Sequence, residues 1–308
     1  KMTELARKKR LVTQMGIQGH SGDGARKICE WIWSGAIGPV REVIAWCSLT
    51  YYPWGHAGWS SPLGTRPEQG EPVPDTLDWN LWLGPAPERP YHHTYHPATW
   101  RSWWDFGVGM MGDRGAHTLD PVFWSLKLGA PSSIEARNTD LNPETYPIAS
   151  VVRYEFPERE AMPPVTVTWY DGLEPPRPTG FSDKEEIGDA GGGVLFLGEK
   201  GALTCGVYGN SPMLLPVEKM KGVPSAPETL PRIKDGHEAD WIRACKGEVT
   251  AGANFDYSGP LTEVALLGNI AKRLPRKKLL WDGPGMTFTN SEEANAFVRT
   301  AYREGWAL

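Results

Sequence analysis

Five short runs read as strands, residues 133–138, 148–156, 165–170, 194–198 and 202–205; the first three carry apolar–polar alternation with a period of two, and the last two are short, mostly apolar runs. Successive side chains on a strand point to opposite faces, so this period marks strands. Turn-rich connections separate the runs, and short connections join antiparallel neighbours. Residues 40–49 form a further strand, with Val43, Ala45, Cys47 and Leu49 on one face and Glu42, Ile44, Trp46 and Ser48 on the other. Residues 278–281 form another short one. Helices are predicted over 24–34, 110–126, 235–245, 261–273 and 292–302, the first capped by Ser21 or Asp23 and stopped by Gly35, the last capped by Ser291. The fold class is α/β (α+β), built on a large, open, mostly antiparallel sheet.

The N-terminal end reads differently. Residues 4–9 look like the last turns of a helix, 11–15 like a short strand, and a helix follows. Strand then helix is a βα unit, whose strand needs parallel neighbours. None is available upstream, so the chain reads as a fragment beginning inside another domain.

Net charge is −5 and the basic residues are scattered, which argues against a nucleic-acid partner. No run of about eighteen uncharged apolar residues marks a membrane span, and residues 1–5 lack the apolar core of a signal peptide. Compartment stays open: cytoplasmic by default, periplasmic with an upstream export signal. Cys29, Cys47, Cys205 and Cys245 show no C-x-x-C spacing and read as unpaired buried thiols. Nearly half of the 15 tryptophans (Trp54, Trp59, Trp79, Trp82, Trp100, Trp103 and Trp104) fall in the irregular segment 50–104. Disordered segments are poor in aromatics, so this one reads as ordered, with flat faces on which a sugar could stack.

Residues 107–120, Gly-Val-Gly-Met-Met-Gly-Asp-Arg-Gly-Ala-His-Thr-Leu-Asp, carry the clearest chemistry. On a helix Asp113, His117, Asp120 and Trp124 form one stripe, and Ala116, Leu119, Phe123 and Leu126 form a core-facing one. Pro121 predicts a bend near His117. Gly107 and Gly109 allow close approach of backbone or ligand. Removing a hydride from an alcohol carbon also requires removing the hydroxyl proton. A histidine with a carboxylate one turn away suits that step, His117 as proton acceptor and Asp113 orienting it. The same stripe is also compatible with a purely structural polar network.

Other groups are weaker. Trp100, Arg101 and Asp105 offer a stacking face, a donor fork and an acceptor to a polar ligand, or else form an Arg–Asp pair under a tryptophan lid. His92, His93, Thr94, Tyr95 and His96, with His56 upstream, have no acidic partner in the motif. They read as a polar pocket wall or surface loop, Tyr95 its substrate contact, and no metal is expected. His237 touches substrate or caps its helix. Trp169, Tyr170 and Asp171 end a strand, where half-buried packing suits Trp169. Gln18 and His20 follow the first strand at its carboxyl end, where α/β sheets bind ligands, and are candidates to lie near a nicotinamide.

Asp113-x-x-x-His117 after Gly107-x-Gly109 resembles the catalytic helix of the Gfo/Idh/MocA oxidoreductases. Residues 15–18, 35–40, 77–86, 100–107 and 302–306 resemble that family too, so the likeness runs through essentially the whole chain. It implies a Rossmann domain followed by an α/β domain whose open sheet carries helices on one side. Residues 1–38 would be a remnant of the first domain with its connecting helix, and residues 39–308 the substrate-binding, catalytic domain. The resemblance gives His117 the proton-transfer role with Asp113 beside it. It implies NAD or NADP, held by an N-terminal domain absent from this chain. The family's Glu-Lys-Pro motif and a G-x-G-x-x-G turn after a strand are not found; Gly191–Gly193 precede a strand instead.

Three readings follow. The first is an NAD(P)-dependent oxidoreductase acting on a sugar, sugar derivative or cyclic polyol. The second is an NAD-dependent redox glycosidase or lyase of the same fold. The third is a non-catalytic carbohydrate-binding or scaffold chain. A sheet covered on one face implies a homo-oligomer through the open face, with Val152/Tyr154/Phe156 and Val165/Val167/Trp169 as the apolar surfaces to bury.

Overall fold

The structure, a computed structural model, describes residues 1–51, 59–299 and 301–306. Trp54 and His56 therefore lie outside the described residues. In chain order the elements are α1 (Met2–Lys9), α2 (Asp23–Trp33), β1 (Val40–Cys47), α3 (Trp79–Leu83), α4 (Gly109–Thr118), α5 (Asp120–Ser125), β2 (Ser133–Asn138), β3 (Ser150–Phe156), β4 (Val165–Asp171), β5 (Gly193–Gly198), β6 (Ala202–Cys205), β7 (Met213–Leu215), α6 (Val217–Met220), α7 (Gly236–Cys245), α8 (Phe255–Arg273), β8 (Leu279–Asp282), β9 (Thr287–Phe288) and α9 (Glu292–Asn295). Among these, no helix is long and apolar enough to cross a membrane.

The strands form one sheet in the order β7-β6-β5-β1-β4-β3-β2-β8-β9. Every pairing is antiparallel except β1 with β4. The long irregular segment after β1 and the helices α4 and α5 make the crossover that a parallel pair requires. Val43, Ala45 and Cys47 face the main core with Val152, Tyr154, Phe156, Val165, Val167 and Trp169, under α4 and α8. Ile44 and Trp46 face a second cluster with Leu195, Ala202 and Leu215, so β1 is apolar on both sides.

That arrangement corrects the argument for assembly. Val152, Tyr154, Phe156, Val165, Val167 and Trp169 are each at most 2% exposed and are covered by this chain's own helices. Opposite them, over β2–β4, lie Glu135, Arg137, Arg153, Glu155, Thr166 and Thr168, half-buried or exposed. Glu155 accepts from Arg153 Nε at 2.7 Å and from Thr166 Oγ1 at 2.9 Å. Over β2–β4 this face is mostly polar, apart from Val151 and Tyr170, whereas over β1, β5 and β6 it is apolar.

Several local expectations also change. Residues 11–15 form no strand; Met15 N–H is met by Ala253 C=O at 2.9 Å. Helix α2 starts after Gly22 with no side-chain cap, since Ser21 Oγ is bonded to His237. The predicted 110–126 helix is two helices broken at Leu119, with Pro121 in the first turn of the second, where its missing N–H costs nothing. Helix α8 begins at Phe255, capped by Asn254, and carries Pro260. Ser291 does cap α9, but that helix ends at Asn295. All four cysteines are free, and Cys245 is exposed rather than buried.

Candidate active site

Helix α4 is seated by contacts that leave little room for side chains. Gly109 has φ of +58°, and a Cβ there would lie 2.6 Å from the Tyr146 ring; a Cβ on Gly107 would lie 2.5 Å from the Arg101 carbonyl oxygen. Those glycines admit protein, not ligand. The helix therefore enters close against 101–107 and presents Asp113, Arg114 and His117 beside that segment.

The Asp113 carboxylate accepts a hydrogen bond from Tyr51 Oη and lies 3.5 Å from Arg101 Nε. Arg101 is itself clamped. Its guanidinium carbon lies 4.5 Å above the Trp59 ring and 4.4 Å above the Trp100 ring, and Nη1 donates to Ala98 C=O at 2.9 Å. Trp100 and Arg101, expected to meet a substrate, here hold Asp113 in place. Burial pushes the Tyr51 hydroxyl far above its usual range, and its bond to Asp113 adds to the effect, so it stays a donor.

His117 is half-buried and packs edge-on against Tyr208, ring centroids 4.9 Å apart. Its Nδ1 is buried with no hydrogen-bond partner, and among the described residues no bond joins it to Asp113. Nε2 is the nitrogen left to meet a substrate. Burial lowers the His117 pKa below the usual 6.5; Asp113 opposes the shift, and Arg114 adds to it. A helix C-terminus favours a cation by about 0.3–1 kcal/mol, and here desolvation outweighs it. The imidazole is neutral at pH 7, as a proton acceptor must be.

The remaining predicted residues are mostly committed elsewhere. Tyr95 is 1% exposed, wedged among Trp79, Trp103 and Phe106, and cannot touch a substrate. Asp105 pairs with Arg89, not Arg101, and Arg89 is also held by Glu144 at 3.1 Å. His237 is 7% exposed and has both ring nitrogens engaged, Nδ1 with Ser21 Oγ and Nε2 with Met15 C=O, each at 2.7 Å. His20 is 3% exposed, bonded to Asp120 at 2.8 Å and stacked on Trp124. Asp120 also accepts from Tyr257 Oη at 2.6 Å, so Asp120 and His20 form a buried brace behind α5. Gln18 and Asp105 are exposed, and the Cβ position of Gly19, next to Gln18, lies 2.3 Å from the Tyr208 carbonyl oxygen. The 92–96 run does acquire an acidic neighbour from a distance, since His93 Nδ1 lies 2.8 Å from Glu71.

A cavity of about 950 Å3 opens between α8, residues 85–87, residues 296–299 and Ala301, and neither Asp113 nor His117 lines it. The site is set by the α4 side chains, whose chemistry the larger cavity lacks. Tyr51, Arg114 and Tyr208 were not singled out from the sequence. Arg114 stands three residues before His117, on the same helix face, and could have been; Tyr208 comes from the loop after β6 and could not.

A strand–glycine turn–helix unit, the grip for a dinucleotide pyrophosphate, is absent from the described residues. Gly191–Gly193 lead into β5. No residue of this chain is therefore assigned to cofactor phosphates.

The profile of the oxidoreductase family, C-terminal alpha/beta domain, of Gfo/Idh/MocA type, matches residues 23–156. The matched stretch, from α2 to β3, resembles the C-terminal domain of the Gfo/Idh/MocA oxidoreductases and contains Asp113 and His117. Solved structures share the fold at low identity. The WlbA dehydrogenase from Bordetella pertussis, in complex with NADH and UDP-GlcNAcA, is 14% identical, with 91% of this chain and 67% of that chain covered and a TM-score of 0.54. The WlbA dehydrogenase from Chromobacterium violaceum, with the same two ligands, is 15% identical over 91% of this chain and 66% of that one, TM-score 0.54. An NAD-binding protein from Listeria innocua is 10% identical over 90% and 66%, TM-score 0.51. No curated protein matches the sequence.

Proposed function

We propose that this chain supplies the substrate cradle and the proton-transfer group of an oxidoreductase acting on a sugar, sugar derivative or cyclic polyol. The observation that carries the reading is the state of His117: a neutral imidazole held below its usual pKa by burial, with one nitrogen free, on the helix the family match covers. A nicotinamide cofactor, NAD or NADP, would supply the hydride acceptor. The residues of this chain handle the proton. Nε2 of His117 takes it from the hydroxyl, the O–H bond breaking as the C=O bond forms. Asp113, fixed by Tyr51 and Arg101, stabilises the resulting imidazolium through space. Gln18 stands where the nicotinamide side of the cleft would lie. Residues 1–38 belong, in this reading, with the cofactor domain, and 39–308 with the substrate domain.

The test is single-turnover hydride transfer in the complete protein at saturating cofactor, followed by nicotinamide absorbance. His117→Ala is expected to lower the rate by about 10²–10⁴ with little change in substrate binding. Asp113→Asn should lower it less. A folded His117→Ala protein with the wild-type rate would show that α4 is not the catalytic helix.

Homo-oligomerisation through the open face belongs to the same proposal, with a changed chemistry. Glu135, Arg153 and Glu155 would join copies by polar pairs rather than by apolar burial.

A further inference from the structure

Arg114 is a cation without a carboxylate partner among the described residues. Among the described residues its one hydrogen bond runs from Nη1 to Tyr208 Oη, at 2.7 Å. The guanidinium carbon lies 5.6 Å from the centre of the Tyr208 ring, the ring that packs on His117. Arg114 is half-buried and Tyr208 is 39% exposed, so the remaining donors of the fork sit at the open rim. The other arginine of the site is spent: Arg101 is sandwiched by Trp59 and Trp100 and bonded to Ala98 and Asp113. The one nearby carboxylate, Asp113, is held by Tyr51 and Arg101. The rim beside His117 therefore carries an unneutralised positive charge with a fork suited to a planar anion.

We infer that Arg114 selects a substrate bearing an anionic group, a sugar acid or a sugar phosphate, and places that group on the Tyr208 side of His117. This rests on the sugar oxidoreductase reading and narrows its substrate class. The spacing supports it. Arg114 and His117 are three residues apart on one helix face, so their head groups can serve adjacent positions of one ring. Tyr208 Oη restrains the guanidinium before ligand arrives, which reduces the rotamer entropy lost on binding. A neutral sugar would leave the charge uncompensated. An anion gains a charge-assisted, potentially bidentate hydrogen bond, which even at a half-exposed site is worth about tenfold in affinity.

The experiment compares glucose, glucuronate and glucose 6-phosphate, each titrated into the 308-residue chain and read by quenching of its tryptophans. The expected result is at least about tenfold tighter binding of one anionic sugar than of glucose, a preference that shrinks as salt rises. If glucuronate is the tighter, the anion is a carboxylate; if glucose 6-phosphate, a phosphate. Arg114→Gln should abolish the preference, and Arg114→Lys, which keeps charge but loses the fork, should restore part of it. Far-UV circular dichroism checks that both variants are folded. Equal binding of all three sugars, or a preference unchanged in Arg114→Gln, overturns the inference and leaves the sugar reading standing. Binding of none of them overturns the sugar reading and this inference with it.

Discussion

Replacing Asp171 by Asn removes one negative charge from the middle of the molecule. Asp171 is 3% exposed and Lys272 is 1% exposed, so their ion pair, between the end of β4 and the last turn of α8, is out of water. The carboxylate also accepts from Ser150 Oγ at 2.6 Å and from Trp169 Nε1 at 2.8 Å. An Asn side chain offers one oxygen to three donors and turns its own N–H groups toward one of them. Lys272 Nζ is then buried without a counter-charge, because Asn138 bonds to its backbone C=O and not to its amine. Breaking a buried pair from one side costs about 3–5 kcal/mol. The low end applies if Lys272 sheds its proton, as buried lysines can. At about 2 °C per kcal/mol for a chain of this size, the melting midpoint should fall by about 6–10 °C. Lys272→Met should cost less, since Asp171 keeps two donors. The double variant Asp171→Asn/Lys272→Met should be more stable than Asp171→Asn alone, because no buried charge is left. Urea unfolding followed by tryptophan fluorescence gives all four values. An Asp171→Asn variant within about 1 kcal/mol of wild type would refute the claim that this pair is buried and mutually dependent. The pair also bears on function: Tyr51, Gly109 and Met110 line the small void beside it, and Tyr51 holds Asp113.

Because burial and Arg114 hold the His117 pKa below 6.5, the acid limb of kcat/KM in the complete protein should fall below pH 6.5, and Arg114→Gln should move it upward; a limb above 6.5 in the wild type would contradict the assigned environment. Glu30 is 1% exposed and bound by both Nη groups of Arg232 at 2.8 Å and by the N–H groups of Thr229 and Leu230 at 2.9 Å. The bond to Arg232 is the largest cause holding its pKa below 4.5, so this site stabilises the fold above the unfolded carboxylate value and loses that contribution as pH falls through the folded one. Acid titration by circular dichroism should show Glu30→Gln less stable near neutrality and less sensitive to pH below 4.5; identical acid transitions would refute it. Assembly through the open face should appear in light scattering at low salt and weaken as salt rises, and a monomer at micromolar concentration in low salt would rule that interface out.

The strands in residues 133–205 were legible because alternation and short apolar runs between turns are local properties: β2 and β6 occur at the predicted bounds, and β3, β4 and β5 within two residues of them. The α4 motif was legible for a related reason. Helical spacing puts Asp113 and His117 on one face whatever surrounds them, and proline at 121 predicts the break that separates α4 from α5. Partnership was not legible. Asp113 was expected to touch His117 and is held instead by Tyr51 and Arg101, residues 62 and 12 positions away. His20, Tyr95 and His237 have the right chemistry for a site, yet each is buried in contacts made by distant segments. Tyr208 reaches His117 only because β6 delivers its loop there. Residue type and spacing thus determined the elements and the candidate base. Which side chains are spent on the fold and which remain free for a ligand depends on contacts between segments far apart in the chain, and tertiary structure alone decided it.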